Sequence, residues 1–121
     1  MRVLVVDDSA DVRFMLRFLL EEAGMEVEEV SSGQAALDRL LGDGDQVPDA
    51  LVLDQRMPQM TGLEVAHELA GHGLRLHTVL FSAYLHPDLH AEAEDLGVVP
   101  ITKSDLTALV DTLQRPLHLA A

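Results

Sequence analysis

Two short stretches are apolar without interruption, Val3 to Val6 and Ala50 to Leu53, and each runs into aspartate: Asp7-Asp8 after the first, Asp54 after the second. A strand with one face in water alternates apolar and polar residues. An unbroken run marks a strand covered on both faces, the condition of a parallel sheet flanked by helices. Val27 to Val30 is a third strand candidate between them. Val79-Leu80-Phe81 is a fourth, and Val98 to Thr102 a fifth, weakened on paper by Pro100.

Helical patterns fill the intervals. The first runs from near Ser9 to Ala23, with Val12, Leu16, Leu19, Leu20 and Ala23 on one face and Gly24 at the stop. The second runs from about Gly33 to Leu41, with Ala36, Leu37 and Leu40 inward and Gly42 as terminator. A third spans Gly62 to about Ala70 and is broken by Gly71-His72-Gly73. His86-Pro87-Asp88 opens a fourth, ending at Leu96-Gly97, and Asp105 caps a last one, which Pro116 closes. Five strands alternating with five helices predict an α/β, right-handed, doubly wound parallel sheet. A chain of 121 residues is the size of a single domain, 1–121, able to bury roughly two-thirds of its unfolded surface.

Charge narrows the function. Acids outnumber bases 21 to 8, a net charge of −13, so no direct nucleic-acid binding and no anionic membrane surface is expected. With no Cys there is no disulfide framework and no thiol chemistry. The run Val3 to Val6 is far too short for a leader or a spanning segment, and a cytoplasmic location is expected.

In doubly wound sheets ligands bind beyond the carboxyl ends of the strands. There the sequence places Asp7-Asp8 after strand 1, Asp54 after strand 3, Ser82 after strand 4 and Lys103 after strand 5. Each alone has an ordinary explanation: Asp caps helices and forms turns, and hydroxyls are common after strands. Together they describe a rim where three carboxylates repel one another, a strain that a hard divalent cation such as Mg²⁺ relieves. Lys103 is the only lysine in a chain whose other seven bases are arginines. A compact ammonium suits a phosphoryl oxygen at close range.

This set resembles the receiver domain of two-component response regulators, over essentially the whole chain. The matching text is Val-Val-Asp7-Asp8, then Asp54-Gln-Arg-Met57-Pro58-Gln-Met-Thr-Gly62, Ser82-Ala83 and Lys103. The resemblance implies a flavodoxin-like (βα)5 fold with strand order 2-1-3-4-5. It implies that Asp54 is the phosphoacceptor, taking a phosphoryl group from a phosphohistidine on a sensor histidine kinase or histidine phosphotransfer protein. Asp7, Asp8, Asp54 and the backbone carbonyl of Arg56 would hold Mg²⁺. Ser82 and Lys103 would each engage a phosphoryl oxygen. Such a protein catalyses only its own phosphorylation and dephosphorylation, and switches an output partner or effector domain that the sequence does not name.

The sequence departs from the family on the output side. Family members usually carry Tyr or Phe three residues before the Lys, where Pro100 stands, and Pro after it, where Ser104 stands. Signal transmission other than by ring rotation is therefore expected, with a trans bond between Lys103 and Ser104. Arg56 and Tyr84, two residues beyond Asp54 and Ser82, are read either as a screen against the hydrolytic water, which the resemblance implies passes there, or as ordinary loop side chains. Phe14 and Phe18, i and i+4 on the first helix but off its inward face, are read either as an exposed ridge for partner docking or as packed locally against the Arg13 and Arg17 stems or under a neighbouring domain. Met15, Met25, Met57 and Met60 are read as core or loop packing, and Glu26-Glu28-Glu29 as a solvated face. Two rivals remain at this level: a pseudo-receiver regulated without phosphate, favoured by Pro100 and Ser104, and a small Mg²⁺ phosphatase. The phosphatase is disfavoured because Ser9 stands where a second acid is common.

Overall fold

A computed structural model describes residues 1–42 and 46–115. The order is β1 (Arg2–Val6), α1 (Ala10–Glu22), β2 (Glu26–Val30), α2 (Gly33–Leu41), β3 (Ala50–Leu53), α3 (Gly62–Gly71), β4 (His77–Ser82), α4 (Pro87–Asp95), β5 (Val99–Thr102) and α5 (Leu106–Gln114). The strands form one parallel sheet in the order β2-β1-β3-β4-β5. Every expected element is present within a residue or two; Pro116 lies outside the described residues.

Local chemistry sets the boundaries. Ser9, Ser32, Thr61 and Asp105 cap α1, α2, α3 and α5, each accepting a backbone N–H from the first turn. Thr61 and Glu64 form a reciprocal capping box. Gly24, Gly73 and Gly97 take positive φ just past α1, α3 and α4, where a side chain would strain the turn. Pro100 is tolerated because β5 is an edge strand with only β4 beside it.

The sheet divides the core into two. On one face Leu4, Val6, Leu51, Leu53 and Leu80 pack with α2, α3 and α4; on the other Val3, Val5, Val52, Val79 and Phe81 pack with α1 and α5. Alternate residues of β1 and β3 feed opposite faces, and Val3 to Val6 and Ala50 to Leu53 are all buried. This is why their sequences are unbroken apolar runs.

Edge strand β2 corrects one expectation. Glu28 and Glu29 are not a solvated face. Strand alternation sends Glu28 to Arg39 of α2 and Glu29 to Arg13 and Arg17 of α1. A half-covered edge strand thus meets its helices through ion pairs as well as through the apolar contacts of Val27 and Val30. The Arg17 hydrogen bond holds the Glu29 carboxyl below the usual carboxylate range, against the opposing effect of burial. Met15 is also corrected: it is 38% exposed, whereas Met25 and Met57 are buried and Met60 packs against the core. Phe14 and Phe18 stand out of α1 at 75% and 64% exposure, as expected.

Leu51 lies at the centre of the sheet with no exposed surface. Leu51→Ala should destabilise the fold by about 2–5 kcal/mol, whereas Phe14→Ala should cost less than about 0.5 kcal/mol. Urea denaturation of the two variants checks the contrast.

Candidate functional site

β1 and β3 are adjacent at the centre of the sheet and in register, Val6 opposite Leu53, so their next residues emerge side by side. Asp7 is 2% exposed and Asp54 5%, while Asp8, one residue further on, is exposed. One carboxylate oxygen from each of the three lies within 4.8 Å of the others. From beyond β5, Lys103 sends its Nζ to 3.0 Å from Asp7 Oδ2 and 3.1 Å from Asp54 Oδ1. Four residues spread over 97 positions of sequence thus converge on one crevice.

The backbone around them is held in place. Asp7 Oδ1 accepts the Ser9 amide at 2.9 Å, and its peptide carbonyl accepts Arg13 Nη1 at 2.7 Å. The Asp54 amide donates to the Val6 carbonyl. Gly62, the first residue of α3, lies against the Asp54 carbonyl so closely that an added Cβ would overlap it, and would stand 2.9 Å from Leu80 Cδ1. Gln55 Oε1 accepts the Leu63 amide, and Gln59 turns through a left-handed conformation, φ 71°, between them. The Lys103 amide donates to the Ser82 carbonyl at 2.9 Å, tying the ends of β4 and β5 together.

The electrostatics follow from this crowding. Burial pushes the Asp54 carboxyl above its ordinary value and the Asp7 charge adds to it, with Lys103 opposing both. Burial pulls the Lys103 ammonium down, but its hydrogen bonds to Asp7 and Asp54 outweigh that and raise it. Three hard oxygen donors, two of them nearly inaccessible and in electrostatic conflict, fit a small divalent cation such as Mg²⁺.

Of the residues singled out in the sequence, Asp7, Asp8, Asp54 and Lys103 form one cluster. Ser82 is buried at the same rim, but its hydroxyl donates to the Tyr84 carbonyl at 3.2 Å. Arg56 and Tyr84 are exposed. The supporting residues Arg13, Gln55 and Gly62 have no role assigned from the sequence, although Gln55 and Gly62 stand within the matched text. Only the fold shows Gly62 pressed on Asp54 and Arg13 reaching back to the Asp7 carbonyl. All peptide bonds of the described residues are trans, including that between Lys103 and Ser104. Among the described residues no helix is long and apolar enough to cross a membrane.

The family model of the response regulator receiver domain matches residues 3–114. The chain belongs to the response regulator receiver domain family. Curated relatives agree. Response regulator MprA of Mycobacterium tuberculosis is 39% identical over 119 residues, covering 94% of this chain and 50% of that protein. Regulatory protein AtoC of Escherichia coli is 33% identical over 120 residues, covering 98% of this chain and 25% of that protein. The receiver therefore spans half or less of the length of these relatives. Among solved structures, chemotaxis protein CheY4 of Vibrio cholerae superimposes with a TM-score of 0.80 at 29% identity, covering 96% of this chain and 98% of that one. Response regulator TrrA of Thermotoga maritima, in complex with Mg²⁺-BeF, gives 0.74 at 30% identity, with 93% and 97% covered. The flavodoxin-like receiver fold and the strand order expected from the resemblance are both found.

The raised Asp54 carboxyl has a consequence for stability. The native state holds that proton more tightly than the unfolded chain does. Stability is therefore lost as the pH rises through the interval between the ordinary and the raised value. In chelator at neutral pH, Asp54→Asn should melt at a higher temperature than the parent, and the gap should close below the ordinary carboxylate range. Melting curves of both proteins across acid to neutral pH check this; a variant less stable at neutral pH would contradict it.

Proposed function

We propose that this receiver is a phosphoacceptor in a two-component phosphorelay and that Asp54 carries the phosphoryl group. The observation that supports this most is the Lys103 ammonium set 3.1 Å from a buried Asp54 carboxylate that has two more acids beside it. A buried nucleophile that faces both a fixed cation and a cluster of hard oxygen donors is arranged for an incoming group rich in negative charge. The Mg²⁺-BeF complex of the TrrA relative supports the same reading.

In the step proposed, an Asp54 Oδ attacks phosphorus, the phosphorus–nitrogen bond of a donor phosphohistidine breaks, and the electron pair returns to the imidazole. Lys103 neutralises one phosphoryl oxygen. The Ser82 hydroxyl exchanges its Tyr84 carbonyl partner for another phosphoryl oxygen. Asp7, Asp8, Asp54 and the Arg56 backbone carbonyl would hold Mg²⁺, which supplies charge neutralisation at the transferring group. Arg13 and the Ser9 amide keep Asp7 oriented, so little reorganisation is left to the moment of transfer. Hydrolysis of the aspartyl phosphate by water resets the domain, so it acts as a switch and turns over no small-molecule substrate.

The donor would be a sensor histidine kinase or histidine phosphotransfer protein, and the output an attached or separate effector. Since β5 reads Val99-Pro100-Ile101-Thr102, the output does not run through a ring on that strand. The Ser82–Tyr84 contact that the phosphoryl group would break is the first link offered instead.

Incubation with acetyl phosphate and Mg²⁺ should add one phosphoryl group to the intact mass. Asp54→Ala should add none, and Lys103→Ala should be labelled at least about tenfold more slowly. Labelling of Asp54→Ala at the parental rate would refute the assignment.

A further inference from the structure

The acids of this chain are not distributed like its bases. On the β2 side, Glu28 and Glu29 are matched by Arg39, Arg13 and Arg17, and in the crevice Lys103 offsets Asp7 and Asp54. Helices α3 and α4 are different: they carry six acids and no Lys or Arg. Between them runs an open groove of about 600 Å³. Its floor is apolar, made by Leu63 of α3 with the half-buried Met60 and Leu96. Its rims are exposed carboxylates, Glu68 on α3 and Glu92 and Asp95 on α4. Among the described residues none of these three has an ion-pair partner.

We infer that the α3–α4 groove docks a cationic amphipathic helix of a partner protein, apolar side inward, its flanking Lys or Arg residues meeting Glu68, Glu92 and Asp95. An apolar floor between two acidic walls matches a helix with an apolar stripe flanked by bases. Other occupants fit less well. Nucleic acid and anionic lipid meet the same unneutralised carboxylates and are repelled. A bound metal is disfavoured as well, since among the described residues the group of three carboxylates gathered closely enough to share an ion is Asp7, Asp8 and Asp54, outside this groove. A second copy of the chain, at net charge −13, would bring more acid than base to the contact.

The groove also touches the β3–α3 loop: Gln55, next to Asp54, lines it while its side chain holds the Leu63 amide. Occupancy of the groove and chemistry at Asp54 are thereby placed on one segment. The docking claim itself does not depend on phosphorylation.

The probe is a synthetic helical peptide with leucines at i, i+3, i+4 and i+7 flanked by lysines, together with a copy in which glutamine replaces each lysine. Fluorescence anisotropy gives the affinity and amide chemical shifts give the location. Three proteins are compared: the parent, the triple variant Glu68→Gln, Glu92→Gln, Asp95→Asn, and a charge-matched control Asp11→Asn, Glu22→Gln, Asp111→Asn. The expected result is binding that shifts α3 and α4 amides, weakens about tenfold in the groove variant, persists in the control, and is lost with the glutamine peptide. Equal weakening in both variants, shifts on another face, or no binding by the parent would overturn the inference. All three proteins are also labelled with acetyl phosphate, so a failure of docking is read separately from a failure at Asp54.

Discussion

One short ion cluster sets the terms for the rest of the molecule: the Lys103 ammonium lies 3.0 Å from Asp7 and 3.1 Å from Asp54. Two carboxylates buried side by side at the end of a sheet are unfavourable, and a third nearby makes them more so. The fold tolerates them because a single lysine arrives from the far strand and because the chain around each is pinned. Ser9 and Arg13 fix Asp7 through its side chain and its carbonyl. Gly62 lets α3 begin directly against the Asp54 carbonyl. The compensation is partial, as the upward displacement of the Asp54 carboxyl shows. What remains is a cluster in which acids outnumber the single base, the charge balance on which the proposed binding of a cation rests.

Topology explains why this takes so few residues. In the order β2-β1-β3-β4-β5 the strands ending in Asp7 and Asp54 are neighbours, and Ser82 and Lys103 follow on the next two strands. Each of these side chains is the last residue of a strand, as Ser82 is, or the first or second residue past one, as Asp7, Asp8, Asp54 and Lys103 are. Precision therefore comes from the packed sheet, and the loops need only to be anchored.

The sequence was most legible where a single physical demand acted on a residue. Strands buried on both faces had to be apolar, so β1 and β3 could be read directly; helix starts needed an acceptor, so Ser9 and Asp105 could be named. The carboxylates and Lys103 stood out because charge beside such runs has no packing role. Less legible was whatever depended on a partner distant in sequence. Glu28 and Glu29 looked solvated because only the assembled fold brings Arg39, Arg13 and Arg17 over β2. Met15 follows the general preference of methionine for cores but lies on the outer side of α1. Ser82 was placed correctly at the rim, yet its hydroxyl bond to Tyr84 is set by the turn after β4 and not by residue type. The α3–α4 groove was not visible, since its two walls are separated by a strand and two loops.

The central claim is that Asp7, Asp8 and Asp54 act as one cation site whose strain a divalent ion relieves. Calorimetric titration of the chain with Mg²⁺, and of Asp8→Asn in parallel, tests this most directly, because Asp8 is exposed and its loss should leave the fold intact. The account predicts saturable binding of one Mg²⁺ per chain, with affinity at least about tenfold lower in the variant. Absence of saturable binding, or equal affinity in the two proteins, would contradict it.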